Sequence, residues 1–102
     1  MHQQLFSRLG LASGEQFSQP VAMGDNNTMQ CDCVTFGGVF NVTYEESNDL
    51  ENWGGVATEF SSIAVPYALL DSKTVTAAYV RVKVKYVSGS VVASVGVNIS
   101  QQ

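Results

Sequence analysis

Residues 74–99 read TVTAAYVRVKVKYVSGSVVASVGVNI, and their alternation decides the fold class. In the first run Val80, Val82, Val84 and Tyr86 alternate with Arg81, Lys83 and Lys85. In the second, Val91, Ala93, Val95, Val97 and Ile99 alternate with Val92, Ser94, Gly96, Asn98 and Ser100. A period of two puts one set of side chains on a buried face of a β-strand and the other on an exposed face. Ser88-Gly89-Ser90, between the runs, has the composition of a turn, so the two runs are expected to form a β-hairpin.

The same punctuation recurs upstream. Gly24-Asp25-Asn26-Asn27 and Ser47-Asn48-Asp49 read as turns, and Gly37-Gly38 interrupts an apolar stretch. Strands are expected over 17–23, where Pro20 confines the segment to an edge or bulge, and over 29–36, 39–45 and 59–65. Residues 69–73 are expected to be a connection, with one turn of 3₁₀ helix at most. Seven or eight short strands with frequent turns predict an all-β fold, a single small antiparallel β-sandwich or jelly roll. The sandwich domain is expected to occupy residues 17–102. Residues 1–16 are expected to be an N-terminal arm, whose Leu5, Phe6, Leu9 and Leu11 dock on a neighbouring molecule.

Size and charge bound the function. A chain of 102 residues folds to roughly 5,600 Å² of surface from roughly 15,800 Å² unfolded, enough burial for one modest core. Only 14% of residues are charged and the net charge is −4, so the exterior is largely Ser, Thr, Asn, Gln and Gly. Such a surface suits packing against other proteins. With no basic field to draw in phosphates, nucleic acid is not an expected partner. Arg81, Lys83 and Lys85 form a local basic row, expected to be a solvated or edge-protecting face. No apolar run reaches the ~18 residues of a membrane helix, so no membrane association is expected. Residues 1–16 lack the apolar core of a signal peptide, which predicts synthesis and folding in a cytoplasm.

The titratable residues offer little chemistry. His2 is the single histidine and is expected in a flexible terminus, where neither a Ser-His-acid triad nor a zinc site can be held. No catalytic residue, cofactor or metal is therefore expected. Cys31 and Cys33 share one strand face with Cβ atoms roughly 6–7 Å apart, too far for an unstrained disulfide between them. They read either as buried thiols or as interchain thiols of an oligomer. Glu45, Glu46, Asp49 and Glu51 crowd one turn, expected to be solvated, with calcium binding or paired-carboxylate catalysis as lesser readings. Trp53, followed by Gly54-Gly55, reads as a core anchor at the end of a hairpin or as a sugar-stacking platform.

The stretch 42–53, VTYEESNDLENW, resembles a hairpin of small β-sandwich modules in which an alternating strand is followed by Ser-x-Asp-Gly-x-x-Trp. Discoidin-like domains carry it, as do small virion proteins of tailed phages. Ala78-Tyr79-Val80-Arg81-Val82 is similar to the strand that follows in those proteins. The resemblance implies that Ser47 and Asp49 cap the turn, that Trp53 folds back onto the core, and that Arg81 lies across the sheet beside it. Leu50 stands where the pattern has glycine, so the turn is expected to differ there.

The expectation is a non-enzymatic structural protein, a homo-oligomer such as a cyclic trimer, assembled on a larger protein shell. A phage head-decoration (cement) protein is the form the resemblance favours, with a major capsid protein as partner and the virion as its location. Two alternatives remain open: a discoidin-like carbohydrate-binding module using Trp53, Tyr67 and nearby carboxylates, and a calcium-dependent adhesion module built on Glu45, Glu46 and Asp49.

Overall fold

Two strands of about twenty residues organise the molecule. In the computed structural model, which describes residues 2–101 (for 55–59 and 62 the backbone alone), β1 spans His2–Leu11, β2 Glu15–Phe17 and β3 Val21–Ala22. β4 spans Thr28–Ser47, β5 Gly54–Ile63, β6 Tyr67–Leu69, β7 Lys73–Thr74 and β8 Tyr79–Ser100. β4 and β8 pair antiparallel over their whole lengths, from Ser47 opposite Tyr79 to Thr28 opposite Ser100. All eight strands belong to one antiparallel sheet, in the order β1-β8-β4-β5, with β2 and β3 on β8 and β6 and β7 on β4. The all-β antiparallel fold of seven or eight strands is thus what forms.

A straight strand of 22 residues would be roughly 70 Å long at ~3.3 Å per residue. The longest dimension of the molecule is 38 Å. Both long strands therefore fold over at mid-length, and the one sheet becomes two layers. The crease falls where the β4–β8 register shifts, between Thr35 and Phe40 on one strand and between Tyr86 and Ala93 on the other. Gly38 at φ +79° and Gly89 at φ +76° take backbone conformations that side chains disfavour. A Cβ on Gly38 would lie 2.6 Å from the Val91 backbone. Glycine is what lets the two strands cross closely at the bend.

This corrects the expected hairpin. The runs 80–86 and 91–99 do not pair with each other; they are the two halves of β8, each paired with a different half of β4. Ser88-Gly89-Ser90 bends a strand without reversing it, because Gly37-Gly38 bends the partner at the same level. The strands expected over 29–36 and 39–45 are joined in β4 for the same reason.

The first layer holds β1, the C-terminal half of β8, the N-terminal half of β4, β6 and β7. The second holds β2, β3, the other halves of β8 and β4, and β5. Alternation points Met29, Cys31, Cys33, Val91, Ala93, Val95, Val97 and Ile99 inward from one layer and Phe40, Val42, Tyr44, Val80, Val82 and Val84 from the other. Tyr44 ties the layers together: its hydroxyl accepts the Cys31 N–H at 3.0 Å and donates to the Asp71 carbonyl at 3.3 Å. Burial pushes the Tyr44 phenol well above its usual range.

Among the described residues the expected N-terminal arm does not form. Residues 2–11 are an edge strand of their own sheet, paired from His2 opposite Asn98 to Leu11 opposite Val91. Leu5, Phe6, Leu9 and Leu11 pack half-buried against their own core. Nor is β8 an edge to be protected by its basic row, since it is central in both layers. Pro20 does lie at an edge, between β2 and β3. There the Ser18 hydroxyl accepts the Val82 N–H at 2.8 Å, where the chain leaves the ladder.

The crease predicts a graded response to substitution. Gly38→Ala should destabilise the fold by about 2–4 kcal/mol, summing left-handed strain and overpacking. Gly24, at φ +58° with open space around it, should accept Asn at a cost of under about 1 kcal/mol. Urea unfolding of both variants measures the difference, and equal costs would show that the crease does not depend on close approach.

Candidate functional site

The densest side-chain constellation lies on the outer face of the second layer, around Arg81. Arg81 projects outward because its neighbours Val80 and Val82 project inward. Its Cζ lies 4.2 Å from the ring centre of Phe17 and 4.2 Å from that of Trp53, so the guanidinium is held between two aromatic faces. Its Nε donates to Oε1 of Glu45 at 2.6 Å, directly across the β4–β8 ladder. Lys83, the next outward residue, pairs with Glu15 at 3.7 Å. Two cations of the basic row, Arg81 and Lys83, are therefore paired with carboxylates, and Arg81 is covered by rings.

The loop after β4 delivers Trp53 to this stack. The Ser47 hydroxyl accepts the N–H groups of Asp49 and Leu50 at 3.2 and 3.0 Å and donates to Asp49 Oδ1 at 3.0 Å. Asp49 Oδ1 accepts the N–H groups of Glu51 and Asn52 at 2.9 and 2.8 Å, and its Oδ2 accepts Asn52 Nδ2 at 2.7 Å. These donors, the Asn52 amide foremost, hold the Asp49 carboxyl well below its ordinary 3.8. A lowered value means that the cap contributes fully above the ordinary carboxylate range and weakens only as strong acid protonates Asp49. The Asn48 side-chain oxygen accepts the Ala78 N–H at 3.0 Å and ties the loop to the start of β8.

Ser47 and Asp49 thus cap the turn as the resemblance implied. Trp53 departs from its implied place. It is half-buried on the outer face against Arg81, outside the core cluster, and its indole N–H donates to the Leu50 carbonyl at 3.2 Å. Leu50 shows the turn to be less altered than its sequence implied. Its φ of +67° is the left-handed conformation that glycine favours, so leucine occupies the same backbone geometry under strain.

Other expected sites are scattered or closed. Cys31 and Cys33 are both 0% exposed, free, and face the interior between the layers. They cannot serve as interchain thiols, and the hydrogen bond between them together with burial raises the Cys31 thiol well above its ordinary range. Glu45 and Asp49 are engaged by Arg81 and by the turn amides, and no group of three metal-ligating side chains occurs among the described residues. Tyr67 lies on the first layer and Trp53 on the outside of the second, so the two do not form one platform. No cavity opens among the described residues, and no helix among them is long and apolar enough to cross a membrane.

Two features lay beyond the sequence. His2 is the first residue of β1, and its Nε2 sits 3.2 Å from Asp32 Oδ1, directly over Gly96, where a Cβ would lie 2.5 Å from the ring. The second is an apolar strip on the outer face of the first layer. Val34 stands opposite Tyr67, Leu69 opposite Asp32, and Phe36 and Val65 continue the row, all five exposed. Arg8 stacks on Phe36 at 4.7 Å at one end. No protein-family model and no curated protein matches the chain.

Two variants test this account of the stack and its loop. Arg81→Ala should cost about 2–4 kcal/mol, because it leaves Glu45 unpaired and two rings without a packing partner, whereas Lys83→Ala should cost under about 1 kcal/mol. Leu50→Gly should stabilise the fold by about 0.5–1 kcal/mol, since relief of left-handed strain outweighs glycine's greater unfolded freedom. Chemical denaturation reads both; a destabilising Leu50→Gly would show that the leucine side chain matters more than its backbone.

Proposed function

We propose that this chain is a non-enzymatic structural protein that assembles as a homo-oligomer on a larger protein shell, acting as a decoration protein on a phage capsid. The observation that carries the proposal is the uncharged strip of Val34, Phe36, Val65, Tyr67 and Leu69, open on the outside of a molecule whose interior is already packed. Scattered exposed apolar residues need no explanation, but a contiguous row does. A row that continues a sheet face is shaped for a second flat protein surface.

The electrostatics support the same reading. On the opposite face Arg81 and Lys83 are paired with Glu45 and Glu15, and the strip itself carries no charged side chain. The core is complete within one copy, so the protein folds first and binds afterwards. This suits a component that joins a finished shell. The arm envisaged from the sequence is not needed: β1 belongs to the core, and contact passes through sheet faces and edges.

Purified chain added to shells built from the major capsid protein of the phage that encodes it should co-sediment at a fixed ratio to the shell subunit. Phe36→Asp should abolish co-sedimentation in a chain that still unfolds cooperatively, its melting temperature lowered by no more than about 4–8 °C through loss of the Arg8 contact. Wild-type chain left in the supernatant, or undiminished binding by Phe36→Asp, would overturn the proposal.

A further inference from the structure

The first layer has two edges, and the chain treats them differently. β1 carries two register irregularities, and Arg8 within it has a φ of +52°. Bulges and charges of this kind turn an edge away from further strand pairing. β6 has no bulge and no charge; its three-residue length and Pro66 before it confine the open edge to Tyr67–Leu69. Residues 64–70, AVPYALL, contain no charged side chain, and β6 pairs regularly with β4 over its three residues. No other described strand lies beyond it.

The ladder fixes which backbone groups are free. The Thr35 N–H donates to the Pro66 carbonyl and the Leu70 N–H to the Cys31 carbonyl. Antiparallel alternation then turns the N–H and C=O of Ala68 toward β4, and those of Tyr67 and Leu69 outward from the edge. The side chains of Tyr67 and Leu69, 58% and 55% exposed, stand beside this open edge.

We infer that β6 is a contact between two copies of this chain, pairing antiparallel with β6 of a second copy about a two-fold axis at Ala68. Tyr67 of each copy then faces Leu69 of the other, and each facing pair exchanges both its N–H···O bonds. The register is self-complementary, setting an aromatic ring against an aliphatic side chain on both sides of the axis. Charge selects the place: copies that each carry −4 can approach closely where neither presents a charge, and 64–70 is such a segment. Two-fold pairing consumes the edge on both copies, so it closes at two and does not propagate into a fibre. Val34 and Phe36, one strand in on β4, stay on the outer face of the joined sheet, open to the shell proposed above. This contact is one element within the assembly proposed above and rests on that reading.

Sedimentation velocity over a concentration series should show a monomer–dimer equilibrium. Tyr67→Lys/Leu69→Lys should abolish the dimer, and at dilutions where the wild type is also monomeric the two should melt within a few degrees of each other. As an independent arm, chain carrying Tyr67→Cys mixed with chain carrying Leu69→Cys should be joined by a short bifunctional thiol reagent, because facing residues of a hydrogen-bonded pair lie about 5.5 Å apart at Cα. The buried native thiols do not interfere. Wild-type chain that stays monomeric throughout, or a pair of cysteine variants that does not cross-link, overturns the inference and leaves the edge to a different protein. Oligomers that persist in the double-lysine variant also overturn it, while leaving assembly on a shell standing.

Discussion

The molecule depends on one long pairing. β4 and β8 run side by side from Thr28 opposite Ser100 to Ser47 opposite Tyr79, and every other strand attaches to one of them. Neither strand alone could fold over without losing ladder hydrogen bonds. Bent together at Gly37-Gly38 and Ser88-Gly89-Ser90, they keep their pairing and bring the inward faces of their own halves together. The hydrogen bond from the Cys31 amide to the Tyr44 hydroxyl is the visible result: residues thirteen apart along one strand meet across the core. A hydrophobic core built mainly of valine needs no other scaffold.

Because interior and frame are the same residues, chemistry is confined to the outside. The outer faces differ in kind. One presents Arg81 clasped by Phe17, Trp53 and Glu45, a polar group surrounded and satisfied. The other presents Val34, Phe36, Val65, Tyr67 and Leu69, apolar groups left open. A satisfied cluster stabilises its own sheet; an open strip does not. That asymmetry separates the part of the surface that serves the fold from the part that the proposed function assigns to a partner.

The fold class and most inward residues were legible because alternation needs no knowledge of partners. Val80, Val82, Val84, Val91, Ala93, Val95, Val97 and Ile99 all point where their period places them. What was not legible was which run pairs with which. A Ser-Gly-Ser between two alternating runs reads locally as a reversal, and only the matching glycines fifty residues earlier turn it into a bend. The stack around Arg81 follows the same logic. Ser47, Asp49, Trp53 and Arg81 were all marked in the sequence, but Glu45 and Phe17 join them through cross-strand register. His2 escaped because its partner, Asp32, lies two strands away over a glycine.

The order of synthesis gives the long pairing a further meaning. β1 at the start of these residues waits for the end of β8, with His2 opposite Asn98, and β4 waits for the same strand. Since β8 is central to both layers, no earlier fragment owns a core it can close. Synthesis therefore reaches Ser100 with nearly all of the ordering still ahead, and a topology of such distant contacts folds slowly. Until then its valine-rich segments lie uncovered, the state in which unpaired strands are most prone to aggregate.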